Sequence, residues 1–276
     1  MTQAFDRKSD VLPLTRVTAA LLLPFLLAAG SLLYIWPDRT AENFAWTIMP
    51  PATALVMGAG YFSGLYFFAR ATTADRWGSI ALGFPPIAVF AWLAGVTTIL
   101  HWDRFHHDHI SFFAWATLYA ITPFIVPGLW LFNRSRSAPL LGQNLSMIPA
   151  PAAGALGAAG LGVLLTGAAL FIFPEAMIPV WPWTLSPLTA RILGSFFILV
   201  GLVDLSIAAD RRWAAVRLVL ESQLVGLALM LLAVPRALDF IDRGSPLAAA
   251  LFSGISLLWI GIMALYFWMR KRSWII

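Results

Sequence analysis

The chain has 276 residues, of which 60% are hydrophobic and 11% are charged. Soluble domains carry roughly 25% charged residues, so this composition excludes a soluble globular protein and indicates an integral membrane protein that contacts the lipid bilayer. The net charge of +5 does not predict nucleic-acid binding, because the basic residues lie in short loops beside apolar segments, where they orient a membrane protein. The chain has no cysteine, which excludes disulfides, thiolate metal sites and cysteine nucleophiles.

Eight apolar segments follow one another along the chain, each close to the roughly 20 residues that a helix needs to cross a bilayer. They cover residues 17–36, 46–69, 77–100, 111–132, 151–173, 187–209, 213–235 and 247–269. None alternates polar and apolar residues as the strands of an outer-membrane barrel do. We therefore predict an all-α fold of eight transmembrane helices. The first segment is long enough to span, which favours a retained helix over a cleaved signal peptide.

The distribution of Lys and Arg predicts the orientation of these helices. One set of loops and ends carries Arg7, Lys8, Arg16, Arg70, Arg76, Arg134, Arg136, Arg211, Arg212, Arg270, Lys271 and Arg272, whereas the opposite set carries Arg39, Arg104, Arg236 and Arg243. Because basic loops stay in the cytoplasm, we expect both termini there and the loop at 101–110 outside. The Ala-, Gly- and Leu-rich composition suggests the inner membrane of a bacterium.

The two halves of the chain resemble each other. The segment WTIMPPATALVMG at 46–58 is similar to WTLSPLTARILG at 183–194, with one residue deleted. Beyond that deletion a constant offset in numbering pairs Pro51 with Pro187, Thr53 with Thr189, Gly58 with Gly194, Trp77 with Trp213 and Arg134 with Arg270. We predict two parallel four-helix repeats, at 1–132 and 152–276, joined by a cytoplasmic linker at 133–151 and related by an axis along the membrane normal.

Local patterns predict some details of packing. Pro51 and Pro187 suit the first turn of a helix, and Pro85 and Pro86 should kink the third helix. Small residues spaced by four predict close helix contacts, at Gly60 and Gly64 and at Gly154, Ala158 and Gly162. Tryptophans near the helix ends predict an aromatic belt at the two membrane surfaces, formed by Trp36, Trp46, Trp181 and Trp183 outside and by Trp77, Trp213 and Trp268 inside.

The stretch HWDRFHHDHI at 101–110 holds every histidine of the chain. Imidazoles combined with carboxylates suit a divalent transition metal, and the candidate ligands are His101, His106, His107, His109, Asp103 and Asp108. The matching outer loop of the second half adds Asp239 and Asp242. No spacing matches an established zinc signature. A solvated loop is the favoured interpretation, with a metal site or a proton-linked site as the alternatives.

A second candidate site lies within the membrane segments. The turn near 210–211 places Asp204 and Arg217 at the same depth, and Glu221 lies one helical turn beyond Arg217, close to Gln223. Charged groups in a bilayer are usually paired, so we expect Asp204, Arg217 and Glu221 to form one buried ionic cluster. It would be either a static brace or a site for ion coupling or polar-solute binding. Arg191, near the outer side, would extend to the surface or bind an anionic lipid headgroup or substrate.

Three functions remain compatible with these features. The favoured one is a transporter or permease for a small polar solute or ion, with the intramembrane cluster as its coupling group. The second is a non-catalytic subunit or scaffold of a larger membrane complex, which includes a homo-oligomer. The third, and the least favoured, is a membrane-embedded enzyme that uses a metal bound by the histidine loop; no other cofactor is indicated.

Overall fold

The computed structural model describes residues 10–135 and 146–272, and within them the chain is all-helical with eight helices long and apolar enough to cross a membrane. These helices cover Pro13–Ile35 (α1), Pro51–Thr72 (α2), Phe84–Leu100 (α3), Ile110–Arg134 (α4), Ala150–Ile172 (α5), Pro187–Ala209 (α6), Trp213–Ala237 (α7) and Pro246–Arg272 (α8). The predicted number and type of helices are confirmed, and the chain is a multi-pass membrane protein. Arg7, Lys8, Arg136 and most of the linker at 133–151 lie outside the described residues.

Prolines determine where several helices begin. α2 and α6 start at Pro51 and Pro187, as predicted, because a first-turn residue needs no N–H for the helix. The predicted kink in the third helix is wrong. Two short 3₁₀ turns, Trp77–Ser79 and Ala81–Gly83, occupy the start of that segment, and α3 begins at Phe84. Pro85 and Pro86 therefore lie in its first turn, where they interrupt no helical hydrogen bond.

Four helices form the centre of the bundle. About half of the residues of α2, α3, α6 and α7 are buried; α2 packs against α7, and α3 packs against α6. The other four lie outside them, with α1 on α2, α4 on α3, α5 on α6 and α8 on α7. These outer helices expose many large apolar side chains, a surface that suits contact with lipid.

Most of the tryptophans predicted to face the membrane surfaces are instead buried in the protein. Trp46, Trp77, Trp181, Trp183 and Trp213 are buried, whereas Trp36 and Trp268 are exposed. Trp46 packs edge-on against the rings of Phe105 and Trp115, at centroid distances of 5.3 Å and 4.8 Å. The aromatic-belt prediction is therefore wrong for these five positions, because aromatic residues of neighbouring helices and loops cover them.

The closest helix contact, between α5 and α6, depends on glycines other than those predicted. A side-chain carbon built on Gly167 would lie 2.7 Å from the carbonyl oxygen of Gly194, and one on Gly201 would lie 2.6 Å from that of Gly160. By contrast, Gly154 and Gly162 have nothing within 4 Å of such a carbon. The predicted Gly154–Ala158–Gly162 motif thus lies on the wrong face of α5. Small residues occur on several faces of this helix, so their spacing did not identify the packed one.

These contacts predict opposite effects for two alanine substitutions on the same helix. Gly167→Ala should lower the free energy of unfolding by about 1–3 kcal/mol, since its methyl group meets the backbone of α6. Gly162→Ala should leave stability unchanged or raise it slightly, because alanine favours helix. Thermal unfolding of both purified variants in detergent tests this difference. Equal melting temperatures would contradict the described packing of α5 on α6.

Candidate functional site

A cavity of about 90 Å³ lies at the centre of the bundle, where α2, α6 and α7 meet the start of α3. This volume accommodates several water molecules or a small solute. Gly60, Gly64 and Gly83 lie in its wall, and a side-chain carbon on Gly60 or Gly83 would collide with the ring of Phe196 or Phe67. Most of the remaining lining is apolar, and the polar side chains in it are Ser63, Ser222 and Gln223.

Behind the cavity wall, Gln223 on α7 is hydrogen-bonded to Asp204 on α6. Its Nε2 donates to Asp204 Oδ1 over 2.8 Å, and the Asp204 side chain is wholly buried. Within the described residues, neither Asp204 Oδ2 nor Gln223 Oε1 has a hydrogen-bond partner. The Cβ of Asp204 faces Gly160 of α5, which leaves room for it. Two buried acceptor oxygens therefore lack donors beside the cavity.

Glu221, by contrast, has a donor for each of its oxygens. Arg217 Nε and Tyr266 Oη donate to Oε1 over 2.8 Å and 2.7 Å, and Tyr66 Oη donates to Oε2 over 2.8 Å. These contacts join α7 to α2 and α8. Because three donors satisfy the carboxylate, its geometry is that of a structural brace.

The predicted single cluster of Asp204, Arg217 and Glu221 is thus divided into two groups. Arg217 and Glu221 do pair, but the Arg217 side chain is 49% exposed. Asp204 instead turns toward α5 and Gln223. Equal depth in the bilayer did not bring these groups together, because the rotation of each helix about its axis also decides which residues meet. Tyr66 and Tyr266 were not identified from the sequence, because a neutral tyrosine in an apolar helix does not stand out as a functional residue.

The four histidines make separate contacts. His106 Nδ1 donates to the Phe44 carbonyl over 3.1 Å, and His107 Nε2 donates to the Trp102 carbonyl over 3.0 Å. His109 Nδ1 accepts from the Ser111 N–H and so caps the first turn of α4. Asp103 and Asp108 are exposed. Across residues 10–135 and 146–272, no group of three or more His, Asp or Glu could hold a metal ion, so the metal hypothesis gains no support.

The loop that follows α3 and the loop that follows α7 each bind to their own half of the protein. The His106 N–H donates to the Ala45 carbonyl and the Asp242 N–H to the Pro182 carbonyl, both over 2.8 Å. Asp239 is exposed and pairs with Arg243 at 3.6 Å. These contacts place Asp239 and Asp242 away from a shared site with the histidines.

His101 is the histidine that links the halves, because Arg191 Nη1 of α6 donates to its Nε2 over 2.7 Å. Arg191 therefore binds the side chain of the residue that directly follows α3, and this contact was not predicted. Partial burial, together with the positive charges of Arg191 and Arg104, lowers the pKa of His101 below its usual value, and Glu175 opposes this effect. A neutral imidazole is what the contact requires, since only that form accepts a hydrogen bond at Nε2.

No protein-family model, curated protein or solved structure matches this chain.

The lowered pKa of His101 predicts that acid destabilises the fold. The unfolded chain binds this proton more readily than the folded one, so stability falls as the pH drops below about 6.5, the ordinary histidine value. His101→Asn should flatten this part of the dependence of melting temperature on pH. His107→Asn, a change in the same loop that leaves the Arg191 contact in place, should preserve it. An unchanged slope in His101→Asn would exclude His101 as the group responsible.

Proposed function

We propose that this protein is a membrane transporter whose central cavity binds a small solute. The observation that carries the proposal is the position of the cavity, which is lined by α2 and α3 of the first half and by α6 and α7 of the second. Its lining suits a solute that is mostly apolar and has one or two polar groups, which Ser63, Ser222 and Gln223 would contact. Transporters built from repeats bind substrate at such an interface near the bilayer midplane.

We also propose that the two halves are repeats, and the helix boundaries support this. α1 and α5, at Pro13–Ile35 and Ala150–Ile172, are separated by the same offset at their first and last residues. α2 and α6 begin at Pro51 and Pro187, and the starts of α4 and α8 are separated by that same interval. The two outer-loop hydrogen bonds, from His106 and from Asp242, obey these offsets too. Superposition of residues 13–134 on 150–270 should give a rotation of about 180°, and a very different angle would contradict the repeat.

The walls of the cavity carry matching positions from the two halves. The pairs that line it are Ser63 and Leu199, Gly64 and Val200, Phe67 and Val203, Gly83 and Val219, and Ile87 and Gln223. The members of each pair are separated by the same offset as Pro51 and Pro187. A cavity lined in this way lies on the proposed axis. Rocking of one half against the other would then open it to alternate sides of the membrane, which is how repeat-built transporters give access to a fixed site.

Two further features of the proposal concern location. We infer that both termini are cytoplasmic and that the membrane is a bacterial inner membrane, on the basis of the Lys and Arg distribution. A scaffold or complex subunit is the main competing function, and the exposed apolar faces of the outer helices fit lipid as well as a partner chain. It differs from a transporter in needing no water-accessible cavity.

Because the chain has no cysteine, single introduced cysteines test access to the cavity. Ser63→Cys should react with a small, charged methanethiosulfonate reagent in membrane vesicles, since the cavity of a transporter opens to water. Leu165→Cys is the control, because this residue of α5 is 60% exposed on the outside of the bundle and would face lipid. We expect Ser63→Cys to react at least about tenfold faster, as thiolates form readily only in water.

The result distinguishes the two functions without knowledge of the solute. If Ser63→Cys is as unreactive as Leu165→Cys, the cavity is closed to water from both sides. That outcome would contradict the transporter proposal and favour a structural subunit.

The proposed orientation gives a separate expected outcome. Asp108 and Arg272 are exposed at opposite ends of the bundle, beyond α3 and at the end of α8. In intact spheroplasts a membrane-impermeant maleimide should label Asp108→Cys, and it should label Arg272→Cys only after the membrane is permeabilised. The reverse pattern would place both termini outside.

A further inference from the structure

We propose that Asp204 is a proton-binding site, and that loading and release of its proton are coupled to solute binding in the central cavity through Gln223. This inference rests on the proposed function for its coupling, whereas the proton site itself is independent of transport. It starts from two oxygens that lack donors, Asp204 Oδ2 and Gln223 Oε1.

A proton on Oδ2 accounts for both unpartnered oxygens. The carboxyl O–H becomes a donor, and Gln223 Oε1 is an acceptor on the residue to which Asp204 is already hydrogen-bonded through Oδ1. An acid and an amide can exchange two hydrogen bonds in this way, one in each direction. Without the proton, a wholly buried carboxylate would have Gln223 as its one hydrogen-bond donor among the described residues, an environment in which ionised groups are costly.

No described cation compensates the charge of Asp204. α5, which packs against it, has no ionisable residue, and on α7 the guanidinium of Arg217 binds Glu221. The other ionisable groups on the neighbouring elements are directed elsewhere. Tyr66 and Tyr266 donate to Glu221, and Tyr61 pairs with Tyr119. Arg191 donates to His101, Arg236 to the Tyr34 carbonyl, Arg212 to Asp210 and Arg211 to the Ile148 carbonyl, while Arg70 is exposed. With no cation paired to it, this carboxyl avoids an uncompensated charge only when it carries a proton.

A metal cation fits this site less well than a proton does. Hard cations such as Ca²⁺ and Mg²⁺ take about six or more oxygen ligands, whereas two unpartnered side-chain oxygens are present here. A proton needs one carboxylate oxygen and one acceptor.

Gln223 connects the proton to the solute because it belongs to both sites. It lines the cavity and also holds Asp204. When Asp204 releases its proton to water that enters the cavity, the carboxyl group becomes a carboxylate and Gln223 Oε1 loses its donor. Oε1, which is buried in this structure, then lacks a donor and can turn to a donor group on the solute. The proton on Asp204 and the solute thus compete for the same amide oxygen, so that proton release favours solute binding.

The proton is measured first, by infrared difference spectroscopy of the full chain in lipid as the pH is raised. Wild-type protein should lose the C=O stretching band of a protonated carboxylic acid, and Asp204→Asn should lack this band change. Asp204→Glu, which keeps a carboxyl group, should show the band change at a shifted frequency. It is the control that separates loss of the carboxyl group from misfolding of Asp204→Asn. Glu221→Gln should retain the wild-type change. A band change that persists in Asp204→Asn would overturn the proposal.

Coupling is measured with the cavity cysteine. The rate at which the methanethiosulfonate reagent modifies Ser63→Cys is compared with and without Asp204→Asn across the same pH range, and the ratio cancels the titration of the thiol itself. We expect this ratio to change several-fold as Asp204 titrates, and a constant ratio would overturn coupling. If Ser63→Cys is unreactive in both backgrounds, the transporter proposal is contradicted. The infrared result then still decides whether Asp204 binds a proton.

Discussion

The interior of a bilayer offers no water to polar groups, and every feature of this protein reflects that constraint. Helices satisfy the backbone, so a polar side chain directed at another helix needs a partner there. Tyr61 and Tyr119 bond to each other over 3.0 Å, and Trp183 Nε1 donates to Thr53 Oγ1 over 2.7 Å. Asp204 and Gln223 each keep one oxygen without such a partner among the described residues, and these two oxygens lie beside the cavity.

The same constraint explains how much of the fold could be predicted. Eight apolar segments of spanning length leave few alternatives to eight helices, and Pro51 and Pro187 gave two of the boundaries. Hydropathy did not show that α3 starts late, at Phe84, because the 3₁₀ turns before it carry no charged residue that would mark the boundary. Nor did it separate tryptophans at a membrane surface from those covered by a loop, as Trp46 is by Phe105.

The candidate site was predicted in part. Asp204 and Glu221 were identified because charges are rare in membrane helices, but their partners depend on helix rotation, which periodicity did not resolve in helices that are apolar on most faces. The cavity was not predicted at all. Gly60 and Gly64 lie in its wall, but their spacing is equally typical of close helix packing.

The glycine contacts between α5 and α6 have a mechanical consequence. The backbones are in direct contact at Gly160–Gly201 and Gly167–Gly194. The two helices therefore form a rigid pair, because neither can slide along the other without a backbone collision. Asp204 lies on α6 and belongs to this rigid pair, whereas Gln223 lies on α7, which follows the short turn at 210–212. The hydrogen bond between them therefore depends on how α7 is positioned relative to α6, and a shift of α7 of about one ångström would be enough to break it.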